Sequence, residues 1–154
     1  MSNTLDNKAT VSVLNDLIET SRDGEAGYRK CAERATKPQL KALLTSRAGE
    51  CAQAVSELTS MVLARDGKPE DDTSLAGDMH RGWTAFKASV AGDDDKAVLE
   101  ECERGEDVAK KNYKKALEKD LPPDVRAVVQ RQYDGVLRHH DEAKLLRDRE
   151  RAIK

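Results

Sequence analysis

The sequence predicts an all-α protein, a four-helix bundle with a helical crossover between its second and third helices. Three observations lead there. Apolar residues recur at steps of three and four over long stretches. The aromatic share is only 3% against 36% charged residues, a composition that suits helices with solvated outer faces and suits a β-sandwich poorly. The prolines, Pro38, Pro69, Pro122 and Pro123, all fall between the periodic stretches, where a helix must stop or start.

Helix one is expected from about Lys8 to Ala35, with Leu14, Ile18, Ser21, Tyr28, Ala32 and Ala35 on one stripe. The boundary that follows, Thr36-Lys37-Pro38-Gln39, reads as an N-cap, a first-turn Pro and a capping-box Gln. Helix two runs from about Lys37 to Arg65, with Leu40, Leu44, Cys51, Leu58 and Val62 among its inner residues; Gly67 ends it and Pro69 prevents its continuation. Its short link to helix one makes the two antiparallel neighbours.

A polar loop over 68–73 leads to a shorter helical segment, Ser74 to Ala91, carrying Trp83 and Phe86. Gly92-Asp93-Asp94-Asp95 breaks and recaps the chain. Helix three follows over Lys96 to Lys119, and Leu121-Pro122-Pro123 turns it into helix four, Asp124 to Arg151. Two long hairpins joined by a long connection give the ferritin-like arrangement, with Ser74–Ala91 as the crossover; a five-helix bundle has the same periodicity. The 154 residues form one expected domain, 1–154, with 1–7 and 150–154 frayed.

The formal net charge of −2, with both signs interspersed, gives no reason to expect nucleic acid or an anionic membrane as a partner. No apolar run approaches the ~20 residues that span a bilayer. Cys31, Cys51 and Cys102 form no CxxC and read as small buried residues in a reducing compartment. With no basic-then-apolar leader at the N-terminus, the expected location is the cytoplasm.

Some polar residues interrupt the apolar stripes. Glu106 lies on the stripe of Leu99, Cys102, Ala109 and Tyr113, and Glu25 lies on that of helix one. A carboxylate on an apolar stripe is costly to bury without a partner. Glu25 and Glu50 each lie roughly twelve residues, or ~18 Å, from the turn near residue 37 and so share a level. On the other hairpin Glu106 faces the region of Leu137 to His140, and Glu103 lies nearly opposite His140. His139 points about 100° away from His140, outward. Glu25, Glu50, Glu106 and His140 are therefore the expected metal ligands, one per helix, with iron or manganese as the ion that carboxylates and imidazole hold in such bundles. Gly24, Gly27, Gly49, Gly105 and Gly135 sit in helix interiors near the same levels, at about 1 kcal/mol each relative to Ala, and either let helices approach closely or leave room around a site. The alternative is a metal-free polar core in which Arg47 neutralises Glu25 or Glu50. His80, on the crossover, reads as structural, and Tyr28, Tyr113 and Tyr133 as core aromatics with a polar tip.

Several stretches resemble a known family: Leu14-Asn15-Asp16-Leu17-Ile18-Glu19, Asp23-Gly24-Glu25, His80-Arg81-Gly82-Trp83, Glu103-Arg104-Gly105-Glu106-Asp107, His140-Asp141 and Leu146-Arg147-Asp148. From Val11 to Asp148 the chain resembles a small bacterial ferritin-like group classed as a domain of unknown function. The resemblance implies a ferritin-like bundle and no established reaction. Ferritin-like di-iron proteins carry single glutamates on two helices and Glu-x-x-His on the other two. Glu25 and Glu106 look like the single glutamates. Helix two has Gln53 where a His belongs, and helix four has Leu137 where a Glu belongs. A conventional di-iron enzyme is thus not expected.

Two functions follow from the sequence. One is a bundle that binds iron or manganese in a metal-handling or stress context. The other is a metal-free structural or protein-interaction bundle using the crossover surface around Trp83 and Phe86. A homodimer or small homo-oligomer suits both.

Overall fold

The structure, a computed structural model, describes residues 4–70 and 95–152. Among them are four helices and no strand: α1 (Asn7–Arg34), α2 (Pro38–Leu63), α3 (Asp95–Leu117) and α4 (Pro123–Ala152). The expected helix Ser74–Ala91, and with it His80, Trp83 and Phe86, lies outside the described residues.

Each helix start has a local cause. Asp6 caps α1 by accepting from the Ala9 amide at 2.8 Å. Pro38 opens α2, where its missing N–H has no intrahelical partner to lose. The expected Thr36 cap is not made. The N-cap is Lys37, whose side chain does not cap the helix, and Thr36 turns to α3 instead. Its amide and hydroxyl donate to Asp95 at 2.7 and 2.9 Å, and the Lys37 amide donates to the same carboxylate at 3.2 Å. Asp95 thus pins the start of α3 to the α1–α2 turn.

The far end of α2 also departs from the expected form. The helix stops at Leu63, and the residue in the left-handed region is Asp66 (φ 57°). Gly67 serves close approach: a Cβ there would stand 2.7 Å from Val11 Cγ2.

Antiparallel pairing is visible in the contacts on every side of the bundle. Ser21 meets Tyr113 while Thr36 meets Asp95, so α1 and α3 run in opposite directions. Arg65 meets Asp124 while Arg47 meets Glu142, so α2 and α4 do too. It follows that α2 and α3 are parallel, with α2 ending at the opposite end of the bundle from where α3 begins. Close backbone packing joins α1 to α2, α3 to α4 and α1 to α3; α2 and α4 approach less closely.

The interior has two apolar cores. One gathers Leu14, Leu17, Ile18, Leu58, Val62, Val125 and Val129 near the α3–α4 turn. The other gathers Cys31, Leu40, Leu44, Ala48, Val98, Leu99 and Cys102 near the α1–α2 turn. Between them lies a layer of polar side chains.

Candidate functional site

The polar layer is built from all four helices. Glu106 of α3 is buried at 4% exposure, as the apolar neighbours on its stripe require. The Tyr28 hydroxyl of α1 donates to Glu106 Oε2, and Arg47 Nη1 of α2 reaches the same oxygen at 3.3 Å. Arg47 is 1% exposed, and it is among the bulkiest fully buried side chains. Its Nη2 stands 3.3 Å from Glu142 Oε1 on α4, out of line for a hydrogen bond. Nearer the first core, Tyr113 donates to Gln132 Oε1 at 2.8 Å and lies 3.2 Å from Ser21 Oγ.

Burial governs the ionisation here. The Glu106 carboxyl is pushed up to about 8 by desolvation, against the opposing pull of the Tyr28 hydrogen bond and the Arg47 charge. Burial thus favours its protonated form. Burial likewise pushes the Cys51 thiol up to about 12, helped by Glu25, Glu50 and Glu106, so it is no thiolate. Desolvation and then Arg47 lower the His139 value, which favours the neutral imidazole.

A cavity of about 290 Å³ opens beside this cluster. Its floor comes from α1 and α3, including Tyr28 and Glu106, and its exposed rim comes from Glu50 and Gln53 of α2 and Arg131 and Arg138 of α4. The mouth therefore lies along the α2–α4 seam. Gly24, Gly105 and Gly135 line the walls, one from each of three helices. Both expected uses of these glycines occur: Gly24 lets α1 approach α2 closely, where a Cβ would lie 3.1 Å from Cys51 Sγ, and Gly135 leaves room, where a Cβ meets only Arg138 Nη2 at 3.7 Å.

The four expected ligands are not brought together. Glu25 accepts from Arg29 at 2.8 Å along its own helix. Glu50 is largely exposed and pairs with His139 Nε2 at 3.1 Å. His140 Nε2 faces Asp107 Oδ1 at 2.7 Å, away from Glu106. Among the described residues no three His, Cys, Asp or Glu side chains gather into a metal-binding group. Where a cation would meet Glu106, the Arg47 guanidinium already stands, so the donor set as arranged does not fit a divalent ion. His139, expected to point outward, lines the cavity instead. Arg47 was legible as a neutralising partner, but for Glu25 or Glu50; its partner is Glu106. The roles of Gln132 and Glu57 carried no signal in the sequence, since polar residues at such spacing usually face water.

A family profile, Domain of unknown function (DUF2383), matches residues 9–119. The chain belongs to this family. The match spans nearly the whole of α1 and all of α2 and α3, and with them Tyr28, Arg47, Cys51 and Glu106. Family membership thus covers the buried cluster, while the cavity's α4 rim lies beyond the matched stretch. No curated protein matches the chain. None of its described helices is long and apolar enough to cross a membrane.

Proposed function

We propose that this protein is a binding bundle that holds a small molecule in the cavity between α2 and α4, with Tyr28, Arg47 and Glu106 as its polar anchor. One observation carries the reading. Two residues of the cavity lining, Arg47 and Glu106, carry buried polar atoms that lack a hydrogen-bond partner, Arg47 Nε and Nη2 and Glu106 Oε1. Buried polar groups left without partners are costly, and a guest supplying them lowers that cost. Gly135 supports the same reading: a Cβ there would meet only Arg138 Nη2, at 3.7 Å, so the glycine leaves space at the cavity wall although Ala would favour the helix by about 1 kcal/mol. The three free cysteines suit a reducing cytoplasm.

A second reading keeps iron or manganese, in a metal-handling role. It draws on Glu50, Glu106 and His139, which line the same cavity. It requires Arg47 to swing away and Glu106 to release its proton.

Native mass spectrometry and metal analysis of the untagged full chain separate the two. Gly135→Leu fills the cavity without a backbone clash, because a Cβ at Gly135 meets only Arg138 Nη2, at 3.7 Å. A bound molecule on the wild type, or stabilisation by members of a small-molecule panel, lost in Gly135→Leu, supports the binding reading. Near-stoichiometric iron or manganese replaces it with the second. A metal-free chain that no panel member stabilises, with or without Gly135→Leu, overturns both.

A further inference from the structure

Resting on the cavity reading, we infer that the ligand is a small organic carboxylate, its anionic end on the Arg47 guanidinium and its apolar body against the small-residue walls. Arg47 Nη1 is committed to Glu106, whereas Nε and Nη2 have no hydrogen-bond partner. Those two nitrogens share one edge of the planar group. They form the fork that takes a carboxylate through two parallel N–H···O bonds.

The charge balance points the same way. Burial favours the protonated form of Glu106, which in that form does not offset the cation beside it. Of the other carboxylates, Glu50 and Glu57 on the cavity lining pair with His139 and Arg131, and Glu142, 57% exposed and misaligned, is free to turn into water. A cation 1% exposed without a full counter-charge selects for an anionic guest and against a cationic one.

Volume and lining separate an organic acid from an inorganic oxyanion. At roughly 30 Å³ for each water-sized unit, a cavity of about 290 Å³ holds on the order of ten non-hydrogen atoms. An inorganic oxyanion would leave most of it unfilled. Gly24, Gly105, Gly135, Ala54, Ala109 and Val136 present little but carbon to the rest of a guest.

The test is titration calorimetry on the full chain at neutral pH with hexanoate, benzoate and phenylacetate, each beside its amide, and with inorganic phosphate. At least one carboxylate should bind one per chain, about tenfold or more tighter than its amide and than phosphate, since the loss of charge-assisted bonds to a buried fork costs that much. Arg47→Met should abolish the preference for acid over amide. Because that variant disturbs a buried network, Glu142→Gln provides a second, surface-exposed check. Freeing the fork of its competitor should tighten carboxylate binding severalfold and leave the amide unchanged. Amides that bind as tightly as the acids overturn the carboxylate assignment and leave the cavity reading standing. Phosphate binding tighter than every carboxylate assigns the fork to an inorganic ion and also overturns it. If none of the probes binds, the assignment falls, and the Gly135→Leu comparison decides the cavity reading separately.

Discussion

The α1–α3 and α2–α4 seams lie on opposite sides of the bundle and are held by different physics. Across the first, Ser21 meets Tyr113, Tyr28 meets Glu106 and Thr20 accepts from Asn112, all at close backbone packing. Across the second, the links are polar and partly exposed: the ion pairs Arg131–Glu57 at 2.7 Å and Arg65–Asp124 at 3.2 Å, and the His139–Glu50 contact at 3.1 Å. Buried packing on one side fixes the fold. Solvated ion pairs on the other add little stability each, about 0.2–1 kcal/mol, and leave an opening into the interior. The difference teaches that access was placed where the bundle could best tolerate it.

Four substitutions break or sharpen this contrast. Leu14→Ala, in the fully buried core beside the first seam, should cost about 3–5 kcal/mol by urea unfolding. A cost below 1 kcal/mol would mean that this side does not carry the fold.

Asp95→Ala should come next. It removes the carboxylate that accepts from Thr36 and Lys37, a loss of about 1.5–3 kcal/mol for hydrogen bonds to a charged group.

Glu106→Gln tests the polar layer through pH. Between its ordinary value of 4.5 and its folded value of about 8, the unfolded chain has released the proton that the folded chain still holds. Stability must therefore fall as pH rises through this window, by at most about 1.4 kcal/mol per unit, and level off above about 8. The Gln variant should lack that slope. Unfolding midpoints from pH 5 to 8 that run parallel for the two chains would show that Glu106 is ionised in the fold.

Glu57→Ala, on the second seam, has the smallest effect. It loses Arg131 and Gln132 as partners yet should lower stability by less than about 1 kcal/mol. It should also speed ligand entry in stopped-flow mixing. A loss matching that of Leu14→Ala would erase the distinction between the seams.

The helices and both apolar cores were legible because periodicity reports directly on which face is buried. Glu106 was legible for the same reason, as the carboxylate on an apolar stripe. The companions expected for it were not, and the cause is geometric. Counting residues from a turn fixes height along an axis, and that part holds: a Cβ at Gly24 would lie 3.1 Å from Cys51 Sγ, so α1 and α2 match in level as expected. Azimuth changes by 100° per residue, and a long side chain adds reach. Glu25 and Glu50 therefore share a level with the site while one pairs with Arg29 and the other with His139 at the rim. Glu103, expected opposite His140, reaches Arg147 two turns further on, at 2.7 Å. Arg47 illustrates the same limit. An arginine on an inner face usually leads its head to water, and nothing local distinguishes one that stays inside.

The Asp95 clamp has a kinetic consequence. Each hairpin closes over a short turn and forms from local contacts, but the bonds from Thr36 to Asp95 join residues 59 apart in the chain. Bringing together two residues that far apart in an unfolded chain costs about 3–4 kcal/mol of entropy on the logarithmic scaling. Mating of two preformed hairpins is then the late event of folding. Asp95→Ala should chiefly accelerate unfolding and leave the refolding limb of the chevron almost unmoved, so that one carboxylate sets the lifetime of the assembled bundle more than the speed of its assembly.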